Sequence, residues 1–145
     1  MQDIRITIVG NLTADPELRF TPGGNRVAQL RIAHTPRIKQ GDDWVDGETT
    51  FLWANAWGDL AEHIAESLVR GTRVIATGTL RTERWEGKDG EQREAIKLLL
   101  DAIGPDLRFT DVQVRRATRE HGEPAVDEYQ AALRTAREEL GAQPV

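Results

Sequence analysis

Cysteine is absent from the 145 residues, which removes disulfides, thiolate metal sites and thiol nucleophiles together and leaves the fold to packing alone. The absence fits a reducing compartment. Long apolar runs are missing too: no stretch approaches the roughly 20 residues a bilayer needs, and the polar, alternating amino terminus has no signal-peptide character. A cytoplasmic protein without a membrane partner is expected. His34, His63 and His121 share no metal-ligand spacing, and neither a Walker-type phosphate loop nor a GxGxxG occurs. Thr21-Pro22-Gly23-Gly24 reads as a turn, so no metal, no cofactor and no catalysis are expected. One domain with a short appendage fits the length, and that is enough chain to bury a core.

Aromatic residues make up only 6% of the chain, yet they are concentrated. At strand periodicity Phe51, Trp53, Asn55 and Trp57 share one face while Leu52, Ala54 and Ala56 take the other. Trp85 follows Arg81-Thr82-Glu83-Arg84, a run that reads as the end of another strand. Rings beside arginines suit stacking on unpaired bases, since every base has a π-face and every nucleotide a phosphate. Core packing is the competing reading for aromatics at period two. A positive charge excess is also lacking: 19 Lys+Arg against 24 Asp+Glu leave a formal net of −5, whereas nucleic-acid binders are often basic. A phosphate backbone senses the local potential, screened beyond about 8 Å at physiological salt, so one basic face suffices. The acidic residues cluster elsewhere, at Asp42, Asp43, Asp46 and Glu48 and in the carboxyl-terminal region.

Element order decides between the two readings. Ile4, Ile6 and Ile8 mark a first strand, Val27 to Ala33 a second, and Phe51 to Trp57 a third, with a polar loop over residues 36–48 between the last two. Asp59-Leu60-Ala61-Glu62 has the form of a capping box that opens a short helix, and Gly71 supplies its stop. Val74 to Arg81 and Ala95 to Ile103 follow as strands, joined through Gly87-Lys88-Asp89-Gly90, whose Asp-Gly pair suits a type I′ hairpin. Three strands, a helix and two strands predict an all-β OB-fold, a five-stranded Greek-key barrel with one helix between strands three and four. Its ligand surface is strands two and three with the first-second and fourth-fifth loops, which is where Phe51 to Trp57, Phe20 and Trp85 fall.

Ile8-Val9-Gly10-Asn11-Leu12, Asp15-Pro16-Glu17-Leu18-Arg19-Phe20-Thr21-Pro22, Trp57-Gly58, Ala61-Glu62 and Gly78-Thr79-Leu80-Arg81-Thr82 resemble the bacterial single-stranded DNA-binding protein family over about the first 110 residues. Ile6 to Pro22 together with Thr35-Pro36-Arg37-Ile38 is similar to its actinobacterial branch. The resemblance implies a homotetramer around which single-stranded DNA wraps, with Phe51, Trp57 and Trp85 as stacking rings and Phe20 as a further contact. Trp53 is an addition on the same face, and Ile38 stands where some members carry a fourth aromatic. Arg5, Arg31, Arg37, Arg73, Arg81, Arg84 and Lys88 are the expected phosphate contacts. Asp59 and Glu83, often basic in relatives, are expected to repel phosphate.

Residues 1–112 are read as the OB-fold domain, 113–122 as a basic connector or extra strand, and 123–141 as an amphipathic helix with Val126, Tyr129, Leu133, Ala136 and Leu140 on one stripe. The family's acidic tip ending Pro-Phe has no counterpart here. The expectation is therefore a specialised paralogue in replication, recombination, repair or chromosome segregation, associated with the nucleoid, without tip-dependent recruitment of replication and repair proteins. A primosomal-type interaction module or an RNA binder is the alternative.

Overall fold

The computed structural model describes residues 2–117. The helix expected over 123–141 lies outside the described residues, as does the second half of the connector before it. Eight strands and one helix follow in the order β1 (Ile4–Leu12), β2 (Glu17–Phe20), β3 (Arg26–His34), β4 (Arg37–Gln40), β5 (Asp43–Asp46), β6 (Thr50–Trp57), α1 (Asp59–Ser67), β7 (Arg73–Glu86) and β8 (Gln92–Pro105).

Five of these strands close a barrel, which is the predicted OB-fold. β7 pairs antiparallel with β1 and β8, β3 pairs antiparallel with β6, and a three-residue parallel ladder from Trp53↔Lys97 to Asn55↔Leu99 joins β6 to β8. The ring closes where the end of β1 leaves β7 and pairs with β3 at Asn11↔Ala33 and Leu12↔Ile32. Apolar residues at every second position supply the interior. Leu30, Ile32, Val74, Leu98 and Leu100 are fully buried there, and Ala54 and Ala56 keep β6 thin enough for close packing. Helix α1 lies against β3 and β6 and buries Ala61 and Ile64.

Two glycines permit the closure. A Cβ on Gly10 would run into the Ala33 carbonyl oxygen where β1 changes partner, and a Cβ on Gly78 would strike the Leu99 carbonyl oxygen. Gly78 also sits at a register shift in the β7–β8 ladder, the local irregularity by which a strand bends around a barrel.

Several local expectations need correction. Residues 36–48 are not a plain loop: β4 and β5 pair as a separate hairpin, with Arg37 across from Asp46 and Lys39 across from Trp44. Both strands are exposed along their whole length, so no buried face left an apolar alternation to read. The capping box does not form either. Gly58, at φ 70°, is the N-cap without a side-chain bond, and Asp59 and Glu62 each hold the Arg26 guanidinium at 2.9 Å instead. The helix ends at Ser67, before Gly71, whose φ of 86° turns the chain back so that its amide reaches the Leu12 carbonyl at 2.8 Å. β7 and β8 run 14 residues each and project as a two-stranded arm, so Trp85 stands on a strand rather than in a loop. At the arm's tip Gly90 has positive φ and Asp89 does not, which excludes the type I′ turn, a geometry that needs two such residues. Beyond β8, residues 106–117 carry no strand, and the rest of the segment expected as a connector or extra strand lies outside the described residues.

Asp106 fastens the end of β8. Its carboxylate accepts the Arg108 amide at 3.0 Å and Arg73 Nε at 3.1 Å. The Arg108 amide first, and Arg73 after it, hold the acid below its ordinary value against the opposing effect of burial. A lowered carboxyl stabilises the fold above the unfolded value of about 3.9, and the contribution is lost as pH falls through the folded value. Asp106→Asn is therefore expected to lower the thermal midpoint at neutral pH, with the difference from the parent protein shrinking in acid. Gly78→Ala is expected to cost about 1–3 kcal/mol in urea denaturation, since the new methyl meets backbone rather than a movable side chain.

Candidate nucleic-acid interface

Residues paired across a ladder point to the same face of the sheet. On the outer face of this barrel one row therefore runs Arg31, Trp53, Lys97, Arg81 across β3, β6, β8 and β7. The rows beside it hold Ala33 with Phe51, and Gln29, Asn55, Leu99 and Thr79. Further along the arm Glu83 and Trp85 continue this face.

The aromatic row divides in two. Phe51 and Trp53 are 50% and 43% exposed, whereas Trp57 is only 6% exposed. Trp57, expected as a stacking ring, shows little of its surface in the single chain. β2 pairs with the half of β3 that lies opposite Asn55 and Trp57, so the sheet is one strand wider there. Trp53, unassigned between platform and packing by sequence, is the ring that opens to solvent. Trp85 is half-buried, with Lys97 Nζ 5.9 Å from its ring centre. Phe20, at the end of β2, is 67% exposed.

Most of the expected phosphate contacts already hold a carboxylate. Arg5 pairs with Asp101, Arg37 with Asp46 at 3.3 Å, Arg73 with Asp106 at 3.1 Å, Arg81 with Asp3 at 3.4 Å and Arg84 with Glu94 at 3.2 Å. Arg5 and Arg81 belong to the outer face. Arg84 alternates to the opposite side of the arm from Trp85, Arg37 is on the hairpin, and Arg73 is eight positions before Arg81 on β7, roughly 25 Å away at strand rise. Lys88 is exposed at the tip of the arm. Arg31 differs from all of them, since among the described residues its contacts are rings: its Cζ lies 4.1 Å from the Phe51 centre and 5.8 Å from that of Trp53.

The two acidic substitutions are already neutralised. Glu83 accepts Lys97 Nζ at 3.0 Å, and Asp59 accepts Arg26. Burial works against the Arg26 charge, but the hydrogen bonds it donates to Glu62 and Asp59 outweigh it and raise its affinity for the proton.

Lys97, Arg26 and Asn55 were missed from sequence. Lys97, 5% exposed in the middle of the row, had a signal, a single cation between the apolar Ile96 and Leu98. Asn55 is 4% exposed, and its Oδ1, like Arg31 Nε, is buried without a hydrogen-bond partner. Leaving such a group unmade costs about 1–3 kcal/mol.

The single-strand binding protein family model matches residues 3–106, the whole barrel. A single-stranded DNA-binding protein of Paenarthrobacter aurescens is 51% identical over 122 residues, 83% of this chain and 71% of that one. The protein of the same description from Mycobacterium tuberculosis strain H37Rv is 52% identical over 122 residues, 83% of this chain and 74% of its own. The crystal structure of the small single-stranded DNA-binding protein from Streptomyces coelicolor superposes with a TM-score of 0.64 at 32% identity, covering 74% of this chain and 97% of that one. With its barrel matched end to end and actinobacterial relatives half identical to it, the chain belongs to the single-strand binding protein family.

Proposed function

We propose that the outer face of β3, β6, β8 and β7 binds single-stranded DNA without regard to sequence, by stacking bases on exposed rings and pairing cations with phosphates. The observation that carries the reading is the row Arg31, Trp53, Lys97, Arg81, with exposed Phe51 beside it and Trp85 further along the arm. Phe51, Trp53 and Trp85 are the stacking platforms, with Phe20 at the rim, and the buried Trp57 holds the end of β6 on the same face. Arg5, Arg31 and Arg81 are the phosphate partners on this face, and Lys88, Arg84, Arg37 and Arg73 extend the path along the arm, the hairpin and the start of β7. The role is that of a non-enzymatic binder, cytoplasmic and nucleoid-associated, serving replication, recombination, repair or segregation. A homotetramer accords with the family. Exposed Ile75 across from Val9 on the β1–β7 surface, with exposed Leu107 and Phe109 after β8, supports self-association.

Oligo-dT is expected to quench tryptophan emission where duplex does not, and light scattering on the same samples should give four subunits. Tighter binding of oligo-U than of oligo-dT would replace this reading with an RNA one. Trp53→Ala and Trp85→Ala should each cost about 1–3 kcal/mol of binding. Trp57→Ala should instead spend its effect on the fold, about 3–5 kcal/mol.

Because Arg5 must leave Asp101 to meet a phosphate, the freed carboxylate takes up a cation and offsets part of the counterion release. Asp101→Asn is thus expected to tighten binding at low salt and to steepen the slope of log K against log salt by roughly 0.7. An unchanged slope in salt titrations would place Arg5 off the path of the strand.

A further inference from the structure

Two polar atoms of the interface are buried with no partner in the protein, Arg31 Nε and Asn55 Oδ1. They flank one exposed ring. Arg31 stands directly across the β3–β6 ladder from Trp53, and Asn55 follows Trp53 two residues along on the same face. One atom is a hydrogen donor and the other an acceptor, and buried polar atoms are almost always satisfied. Stacking alone needs neither.

An unpaired base supplies what both lack. Each of the four bases carries a donor and an acceptor side by side on its Watson–Crick edge; in thymine these are N3–H and O4. In a duplex that edge is consumed by the opposite strand, whereas a splayed-out base can be read on it. Arg31 is also held differently from the other arginines of this face. It is held over Phe51 and Trp53 by ring contacts, while Arg5 and Arg81 on the same face are tied to carboxylates. A phosphate can draw its guanidinium outward as a base settles on Trp53.

We propose that Arg31 and Asn55 form a base-edge subsite beside Trp53, which takes the free Watson–Crick edge of a stacked nucleobase and so recognises that the strand is unpaired rather than what its sequence is. The subsite rests on the single-strand binding reading above. Asn55 Oδ1 accepts from the base and Arg31 Nε–H donates to it, and because every base offers such a pair the contact is compatible with sequence-independent binding.

The test compares oligo-dT with an oligomer of N3-methylthymidine, which keeps the ring and the phosphates but loses the edge donor. The unmodified protein is expected to bind the methylated strand roughly threefold to tenfold more weakly, the range of one hydrogen bond. In Asn55→Leu, which keeps the bulk and removes the acceptor, the gap should close while the thermal midpoint holds or rises. Equal affinity of the unmodified protein for the two strands overturns the subsite, and that result requires no variant to fold. A gap undiminished in Asn55→Leu overturns it as well, because the methyl group is then rejected elsewhere. Failure to bind oligo-dT at all defeats the single-strand reading itself and the subsite with it.

Discussion

The short parallel ladder between β6 and β8 is the constraint on which the rest depends. It spans Trp53↔Lys97 to Asn55↔Leu99, and it both closes the barrel and fixes which side chains share the outer face. A slip of one residue would carry Trp53 inward and Ala54 outward, because the side-chain period of a strand is two. The inner face resists that slip. Ala54 and Leu98, opposite each other in this ladder, are 0% exposed, and the space left by alanine on β6 does not admit an indole. The register of the outer row is thus set from inside, by the volume of residues that no ligand touches.

A net charge of −5 does not prevent this face from carrying cations, but it determines the state in which they wait. Arg5, Arg81 and Lys97 are paired with Asp101, Asp3 and Glu83, so their side chains are oriented and their charge is largely cancelled until a stronger anion arrives. Exposed pairs of this kind contribute little to stability, with a median near 0–1 kcal/mol, so exchanging a carboxylate for a phosphate is inexpensive. Lys97, being 5% exposed, is the exception. Glu83 places a carboxylate 3.0 Å from this buried cation, and removing one member of a buried pair is strongly destabilising. Glu83, met in the sequence as a source of repulsion, therefore serves the fold first.

The barrel was legible in the sequence because its signals are local and mutually consistent. Alternation at Ile4, Ile6 and Ile8, small residues at Ala54 and Ala56, and a helical stripe through Ala61 and Ile64 each named one element, and the order of elements named the fold. What could not be read were contacts between distant segments. Arg26 lies 33 positions from Asp59, and nothing near Asp59 announces that its carboxylate will leave the helix terminus for that guanidinium. The hairpin of β4 and β5 was missed for the opposite reason, since an element exposed on every residue has no burial pattern. Trp57 shows the same limit at the site: periodicity puts it on the face with Phe51 and Trp53, but how much of the ring meets solvent depends on the packing of distant segments, and only 6% of it does.

That difference in exposure gives the interface its two halves. Trp57 is anchored where the sheet is widest, next to Gly58 and the start of α1, and its burial holds the end of β6 in place by packing. Phe51 and Trp53 project from the other end of the same strand, where β3 turns from β2 to β1 for its partner, and their rings meet solvent. Asn55 sits at the boundary, shielded like Trp57 but polar like a ligand-facing residue. An apolar side chain there would pack without an unsatisfied amide. The amide persists at the one position on β6 where the packed half gives way to the open half, and a residue that weakens the fold at such a boundary is accounted for by what it does when a base lies beside it.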